Sequence, residues 1–385
     1  MAERKQIGIY TEMPQKELYA AFVYLSNIIN GFNLLEEKSK PNVTLIYTGL
    51  FKESDIKEIK YPYLETYNAP DVYKSSFKRL VNKISRRLFR KNILPFFDSK
   101  FPRNLDIIYP ANTRSEIDYV KEKIFWKPDF QEKHYPEYFA KSYIELFDKN
   151  FSLTLNNPNN TLVLSSLDCF NDLKKFFPEY KCKVFVLPFV VFMNYKPSKE
   201  LSKKILDKFS INAPYFIVPN QFWPHKNHIT VIKAIKLLKK THSNFKVIFT
   251  GHTSTNRNKL IYEELIKYCE DNDIMSDLIF TSFLPKNEQL DLINNSICLI
   301  QPSLFEGWNT SIEEAKYLNK FVIASDIAVH KEQLSENVLF FSQKNEQELC
   351  ESMKSVLDNR IELKPFNYNT KVVEFVGKLK ILFNL

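Results

Sequence analysis

Short apolar segments that alternate with helix-patterned stretches limit what this chain can fold into more than any other feature. KQIGIYTE (5–12), NVTLIYTGLF (42–51), LDIIYPA (105–111) and TLVLSS (161–166) are strand-like, and residues 17–32 carry a helical pattern. The later part repeats the alternation more regularly. PYFIVPN (214–220) leads to helix HITVIKAIKLLKK (228–240), then strand FKVIFTG (245–251), a helix over 257–271 and strand LIFTSF (278–283). A helix near 287–294, strand ICLIQPS (297–303), helix NTSIEEAKYLN (309–319) and strand FVIASD (321–326) follow. Short apolar strands separated by helices of this kind predict βαβ units on parallel sheets. A chain of 385 residues has room for two or three domains. The stretch 187–213, with Pro188 and Pro197 inside and Pro214 beside it, is the expected linker. The expectation is an α/β protein of two Rossmann-like domains, 1–190 and 200–365, with a cleft between them. Residues 366–385 are expected to form a helix that packs back toward the first domain.

Composition narrows the class. Hydrophobic residues make up 44% and aromatics 15%, enough for packed cores and unlike disordered or coiled-coil chains. No apolar run reaches membrane-spanning length, and the N-terminus passes straight into a strand-like segment rather than a signal peptide, which points to the cytoplasm. Cys169, Cys182, Cys269, Cys298 and Cys350 are scattered, without CxxC or metal spacing, and are expected as buried thiols in a reducing compartment. The net charge of +9 suits an anionic partner.

Part of that charge is concentrated. KSSFKRLVNKISRRLFRK (74–91) carries Lys74, Lys78, Arg79, Lys83, Arg86, Arg87, Arg90 and Lys91 and no acidic residue. Phe77, Leu80, Val81, Ile84 and Leu88 recur at helical spacing. Such a helix could lie on an anionic membrane, or pack its apolar face on its own domain; the sequence leaves both open. No nucleic-acid-binding module accompanies it, and nucleic acid is not an expected partner.

Six glycines are too few and too dispersed for GxGxxG or a P-loop, so dinucleotide dehydrogenases and P-loop NTPases are excluded. A phosphate could still be held at a helix N-terminus. LIQPSLFEGWNTSIEEAKYLNKFVIASD (299–326) reads strand, turn, helix, strand, with Gly307 in the turn and Asn309, Thr310 and Ser311 as helix-start residues. Glu306 precedes the turn and Glu314 lies inside the helix. Two carboxylates bracketing an electropositive centre suit a ligand with hydroxyls at both ends and phosphate in the middle. That is the shape of a nucleotide sugar.

Glu306 and Glu314 with GWNTSIE between them resemble the E-x7-E signature of the retaining GT-B glycosyltransferases of family 4. FIVPNQFWPHKNHITVIKAIKLL (216–238) is similar to that family's first strand–loop–helix of the C-terminal domain, where a Gly-Arg pair is followed by Lys. Asn220 and Gln221 stand at the Gly-Arg positions and Lys226 at the Lys. PDFQEKHYPEYF (128–139) resembles an Asp-Phe-Gln-His segment of a polysaccharide-building branch, and the stretch 165–189 looks like the end of its N-terminal domain. The resemblance implies a GT-B fold, with 1–190 on the acceptor side and 200–365 binding the nucleotide sugar. It implies Glu306 and Lys226 as catalytic residues. Glu306 would accept from the donor's sugar hydroxyls, Glu314 from the ribose, and Lys226 would neutralise the diphosphate. Gly307, Trp308, Asn309, Thr310 and Ser311 would supply amides, Asn220 and Gln221 would line the site, and backbone near Phe283 and Leu284 would hold the base. Acceptor-side candidates are Asp129, Glu132 and His134.

Three departures stand out: Gln221 replaces an arginine, Glu132 stands at a histidine position, and TEMPQKE (11–17) replaces a glycine-rich loop. His225 and His228 flank Lys226 without a third ligand, so no metal or other cofactor is expected. The expected activity is transfer of a sugar from a nucleotide sugar to a glycan or lipid-linked acceptor in bacterial lipopolysaccharide or capsule synthesis. The enzyme would be cytoplasmic, or peripheral on the inner membrane face. Alternatives are an epimerase or phosphorylase on the same fold, or a non-catalytic sugar-nucleotide or glycan-binding subunit.

Overall fold

A computed structural model describes residues 3–13, 19–49, 59–69, 76–89, 101–111, 117, 119–193, 195–253 and 259–385. The chain divides into two compact units, one of residues 1–192 with 369–385 and one of residues 193–368.

The first unit is built on a sheet of order β3-β2-β1-β4-β5-β6-β7. Its strands are β1 (Gln6–Met13), β2 (Asn42–Gly49), β3 (Leu64–Ala69), β4 (Ile107–Tyr109), β5 (Glu122–Lys127), β6 (Thr161–Leu164) and β7 (Lys183–Val186). Every neighbouring pair is parallel. Helices α1 (Tyr19–Asn33), α2 (Ser76–Phe89), α3 (Gln131–His134), α4 (Lys141–Leu155) and α5 (Leu167–Phe176) connect them. The strands β3, β5 and β7 are missing from the sequence reading. Polar residues break the apolar run of β3 and β5, LETYNA and EKIFWK, whereas β7, KVFV, is short and has no fully buried residue. Only Lys127 among the cations of β5 is buried.

Helix α2 occupies the basic stretch, although Lys74, Arg90 and Lys91 lie outside the described residues, as do residues 14–17 of the segment TEMPQKE. Leu80, Ile84 and Leu88 are exposed at 56%, 51% and 67%, whereas Asn82 and Ser85 are buried. This stripe is therefore not packed into the unit's own core.

The second unit has a six-stranded parallel sheet of order β10-β9-β8-β11-β12-β13. Its elements are α6 (Lys199–Lys208), β8 (Tyr215–Pro219), α7 (His228–Leu238), β9 (Lys246–Thr250), α8 (Lys259–Asp271), β10 (Leu278–Phe280) and α9 (Lys286–Asn295). They continue as β11 (Cys298–Gln301), α10 (Thr310–Tyr317), β12 (Val322–Ser325), α11 (Ala328–Gln333), β13 (Val338–Phe341) and α12 (Glu346–Leu357). Helix α6 falls inside the expected linker. Ser198 caps it by accepting from the Leu201 N–H at 3.1 Å, and Ile205 anchors it to the core. Strands β8 and β11 are buried along their whole length. The five cysteines are all buried free thiols.

The last helix, α13 (Tyr368–Leu382), returns to the first unit. Phe375, Leu379 and Phe383 are buried there, with Phe383 edge-on to Phe32 and Tyr109.

Because the chain runs outward from β8 to β10 and returns to β11, the sheet of the second unit reverses direction at β8/β11. Crevices of α/β sheets open at such switch points, beyond the carboxyl ends of the strands. Gly251, just after β9, approaches this edge with φ of +138°, and a Cβ there would lie 2.3 Å from the Asn220 carbonyl oxygen. Gly251→Ala is therefore expected to lower stability by about 2 kcal/mol or more in urea unfolding. An unchanged midpoint would show that this close approach is not required.

Candidate active site

Three loops at the switch point carry the candidate residues. Asn220 follows β8 and Gln301 ends β11; their amides exchange hydrogen bonds at 3.0 and 3.2 Å across the two strands. Gln301 also donates to Ser303 Oγ and to Glu306 Oε1, each at 3.0 Å. Thus a buried amide pair between neighbouring strands fixes the position of Glu306.

Lys226 reaches the same carboxylate from the β8–α7 loop, with Nζ 2.5 Å from Glu306 Oε1. The loop is held by Asn227, which adopts the left-handed conformation at φ 54° and donates to the carbonyls of Pro302 and Gln343. Asn309 donates a third hydrogen bond to Glu306 Oε1 at 2.9 Å, while its own side-chain oxygen caps α10 by accepting from Ile312 N–H. Glu306 and Lys226 are both nearly buried, at 9% and 14% side-chain exposure. Burial alone would push the Glu306 carboxyl up. The charges of Lys226 and His225, with hydrogen bonds from Lys226 and Ser303, outweigh it and hold the group at about 2. Glu306 is a fixed anion.

Glu314 lies one turn into α10, buried at 1%, and pairs with Lys286 at the start of α9. Thr310 and Ser311 form the first turn, and Ser311 Oγ donates to the Pro219 carbonyl, tying α10 to β8. Gly307 is buried and Trp308 partly so. Gln221 does not act as a charged residue would. Its side-chain oxygen accepts from the His252 N–H at 2.9 Å, which binds the β8 and β9 loops together. Phe283 is exposed and stacks on the His252 ring, with centroids 4.6 Å apart and planes 4° from parallel. Leu284 buries its side chain in the core, so only its backbone is available to a ligand.

Two histidines line the back of the site. His228 stacks on Phe222, and His330 sits against Ser325. Burial, reinforced by the charge of Lys226, lowers His228 to about 3. Burial likewise lowers His330 to about 4, against the attraction of Glu306. Both are neutral at neutral pH. Among the described residues no cluster of His, Cys, Asp or Glu has the makings of a metal site.

Residues 202–373 match the profile of the family described as glycosyl transferases group 1. This stretch is a group 1 glycosyltransferase domain. A curated relative, the O-antigen chain mannosyltransferase RfbU of Salmonella typhimurium, is 28% identical over 142 residues, 37% of this chain. The aligned stretch spans only 38% of that relative's length. Among solved structures, HepE of Anabaena in complex with UDP and glucose superposes with a TM-score of 0.66 at 13% identity, covering 99% of this chain and 95% of that one. A glycosyltransferase of Rickettsia africae gives 0.64 at 14%, covering 99% and 94%. WaaG, a glycosyltransferase involved in lipopolysaccharide biosynthesis, gives 0.56 at 12%, covering 98% and 95%. At these identities the likeness concerns the fold, which is of the GT-B type.

The candidates of the first unit are arranged differently from those of the group 1 domain. Asp129 accepts from the Gln131 N–H at 3.0 Å, a local turn contact just before α3. Glu132 is buried rather than solvated and pairs with Lys127 at 3.0 Å, whose ammonium lies over the Phe147 and Phe130 rings. His134 Nε2 lies 2.8 Å from both carboxylate oxygens of Asp172 on α5. Of the three, Glu132 is committed to an internal ion pair. In the group 1 domain, sequence reasoning missed Gln301, Lys286, His252 and His330. Gln301 was findable as a polar residue closing an apolar strand. The other three are placed only by tertiary contacts.

The neutral histidines make stability depend on pH. A histidine whose folded value lies far below its ordinary 6.5 contributes stability above that value, and loses it as pH falls toward the folded value. For His228 the window runs from 6.5 down to about 3, with a slope of up to about 1.4 kcal/mol per pH unit. His228→Phe, which keeps the ring stack, is expected to lose about 2 kcal/mol less than the wild type between pH 7 and pH 5. Denaturant titrations at pH 7, 6 and 5 measure this, and parallel curves for the two proteins would refute it.

Proposed function

We propose that this chain is a retaining glycosyltransferase that moves a sugar from a nucleotide-sugar donor to a glycan or lipid-linked acceptor in surface polysaccharide synthesis. The observation that carries the reading is the junction of Lys226, Glu306 and the capped start of α10, with Glu314 one turn further in. A diphosphate at this helix start meets the positive helix end and the Lys226 ammonium. As the glycosidic bond to the leaving phosphate breaks, negative charge grows on that phosphate. Donors already aimed there lower the barrier without reorganisation. Lys226 takes the neutralising part that a metal ion plays elsewhere. Glu306, kept ionised, accepts from the sugar hydroxyls, and Glu314 from the ribose. The names of RfbU and WaaG support a polysaccharide setting, and the HepE complex supports a nucleotide donor.

Helix α2 supports work at the inner face of a membrane. Its stripe of Leu80, Ile84 and Leu88 faces outward beside the exposed cations Lys83 and Arg87, and the segment has no acidic residue. No helix among the described residues is long and apolar enough to cross a membrane, so contact through α2 would be interfacial. The second reading, a non-catalytic sugar-nucleotide-binding subunit, draws on Gln221, which places no charge at the phosphate position and is occupied with His252.

A thermal-shift panel of UDP-, GDP-, dTDP- and CMP-sugars identifies the donor. Label transfer from that donor into extracted membrane lipid then separates the readings. Lys226→Ala and Glu306→Gln are expected to lower transfer by about 10²–10³-fold with the fold retained, and full activity in both would defeat the assignment. Binding without transfer would favour the second reading. In flotation, the protein is expected to rise with vesicles containing phosphatidylglycerol but not with phosphatidylcholine alone. Replacing Leu80, Ile84 and Leu88 by serine should abolish it, and equal flotation would retire the membrane contact.

A further inference from the structure

The two glutamates that neighbour each other on α10 are satisfied very differently. Glu313 is fully engaged: Oε1 accepts from Lys316 and from Gln333, both at 2.8 Å, and Oε2 from the Tyr368 hydroxyl at 2.7 Å. It fastens α10 to α11 and to the start of α13. Glu314 is equally buried, yet only Oε1 is occupied, by Lys286 Nζ; Oε2 has no partner among the described residues. A buried carboxylate oxygen left without a donor is costly, and a native structure that keeps one has a reason for it.

Lys286 is also unusual in its setting. It is the first residue of α9, where the helix dipole disfavours a cation. Helix α9 is anchored by the buried Leu290, Leu292 and Ile293, so the ammonium is delivered from a firm base while its side chain stays 39% exposed. Its ammonium is paired with Glu314.

We infer that Lys286 is a positioning residue for donor recognition: it pins the Glu314 carboxyl group through Oε1, so that Oε2 is presented to the hydroxyls of a ribose. This rests on the reading of α10 as the nucleotide-sugar site and deepens it. Lys286 thereby becomes a determinant of selectivity for ribonucleoside over deoxyribonucleoside diphosphates. It touches neither the phosphates nor the transferred sugar.

The test uses the full chain and calorimetric binding of UDP, GDP and ADP, each against its 2′,3′-dideoxy form. The wild type is expected to bind one of the ribonucleotides at least roughly tenfold tighter than its dideoxy partner, as fits a hydrogen bond to a charged acceptor. Lys286→Met should reduce that ratio to within about threefold by weakening the ribonucleotide alone, with dideoxy affinity unchanged. Lys286→Gln, which keeps a donor without the charge, should fall between, and decides the matter alone if the methionine variant does not fold. A structural role would weaken both ligands together. Equal losses, or a ratio preserved in the variants, overturn the inference. A wild type that binds a nucleotide without ribose selectivity also overturns it and leaves the donor site standing. Failure to bind any of the three brings down the donor-site reading and this inference with it.

Discussion

The organisation of the group 1 domain depends on one buried charge. Glu306 is kept ionised in a nearly dry setting, which is possible only because Lys226, Gln301 and Asn309 all donate to the same oxygen. Each of those donors comes from a different part of the fold: the β8–α7 loop, the end of β11 and the cap of α10. Removing any one would leave the carboxylate short of compensation in a medium where an unpaired charge is expensive. The ion pair therefore locks three loops into one register at the place where the sheet reverses. The neutral state of His228 and His330 follows chiefly from burial beside this pair.

How far this was visible in the amino-acid sequence differs between the units. In the group 1 domain, strands such as YFIVP and CLIQ are buried throughout and read as unbroken apolar runs, so their positions could be taken from pattern alone. In the first unit, Glu65, Thr66 and Asn68 interrupt the apolar residues of β3 without strict alternation, and β7 has no fully buried residue, so pattern says little there. Helix α6 hid behind the prolines that surround it; its cap, Ser198, was the available signal.

The site was legible to the extent that it is local. Glu306, the cap at Asn309 and Glu314 lie within one strand–turn–helix, and Lys226 within another. Their spacing carries information that survives without a structure. What could not be read is who neutralises whom. Gln221 looked like a weakened phosphate ligand but serves the neighbouring loop, because Gly251 brings that loop within reach. Glu132 looked like an acceptor-side candidate and is an internal ion pair in an aromatic setting.

The return of α13 to the first unit has a practical side. The chain passes between the units twice, near residues 192 and 368, and Phe375, Leu379 and Phe383 complete the interior of the portion synthesised first. A fragment ending at the first crossing would expose the surface those side chains cover, whereas the second unit is contiguous and can be excised in one piece. Dissection of this protein is thus asymmetric: the group 1 half can be made alone by truncation, while the other half has to be supplied with its own tail, by permutation or by a linked helix.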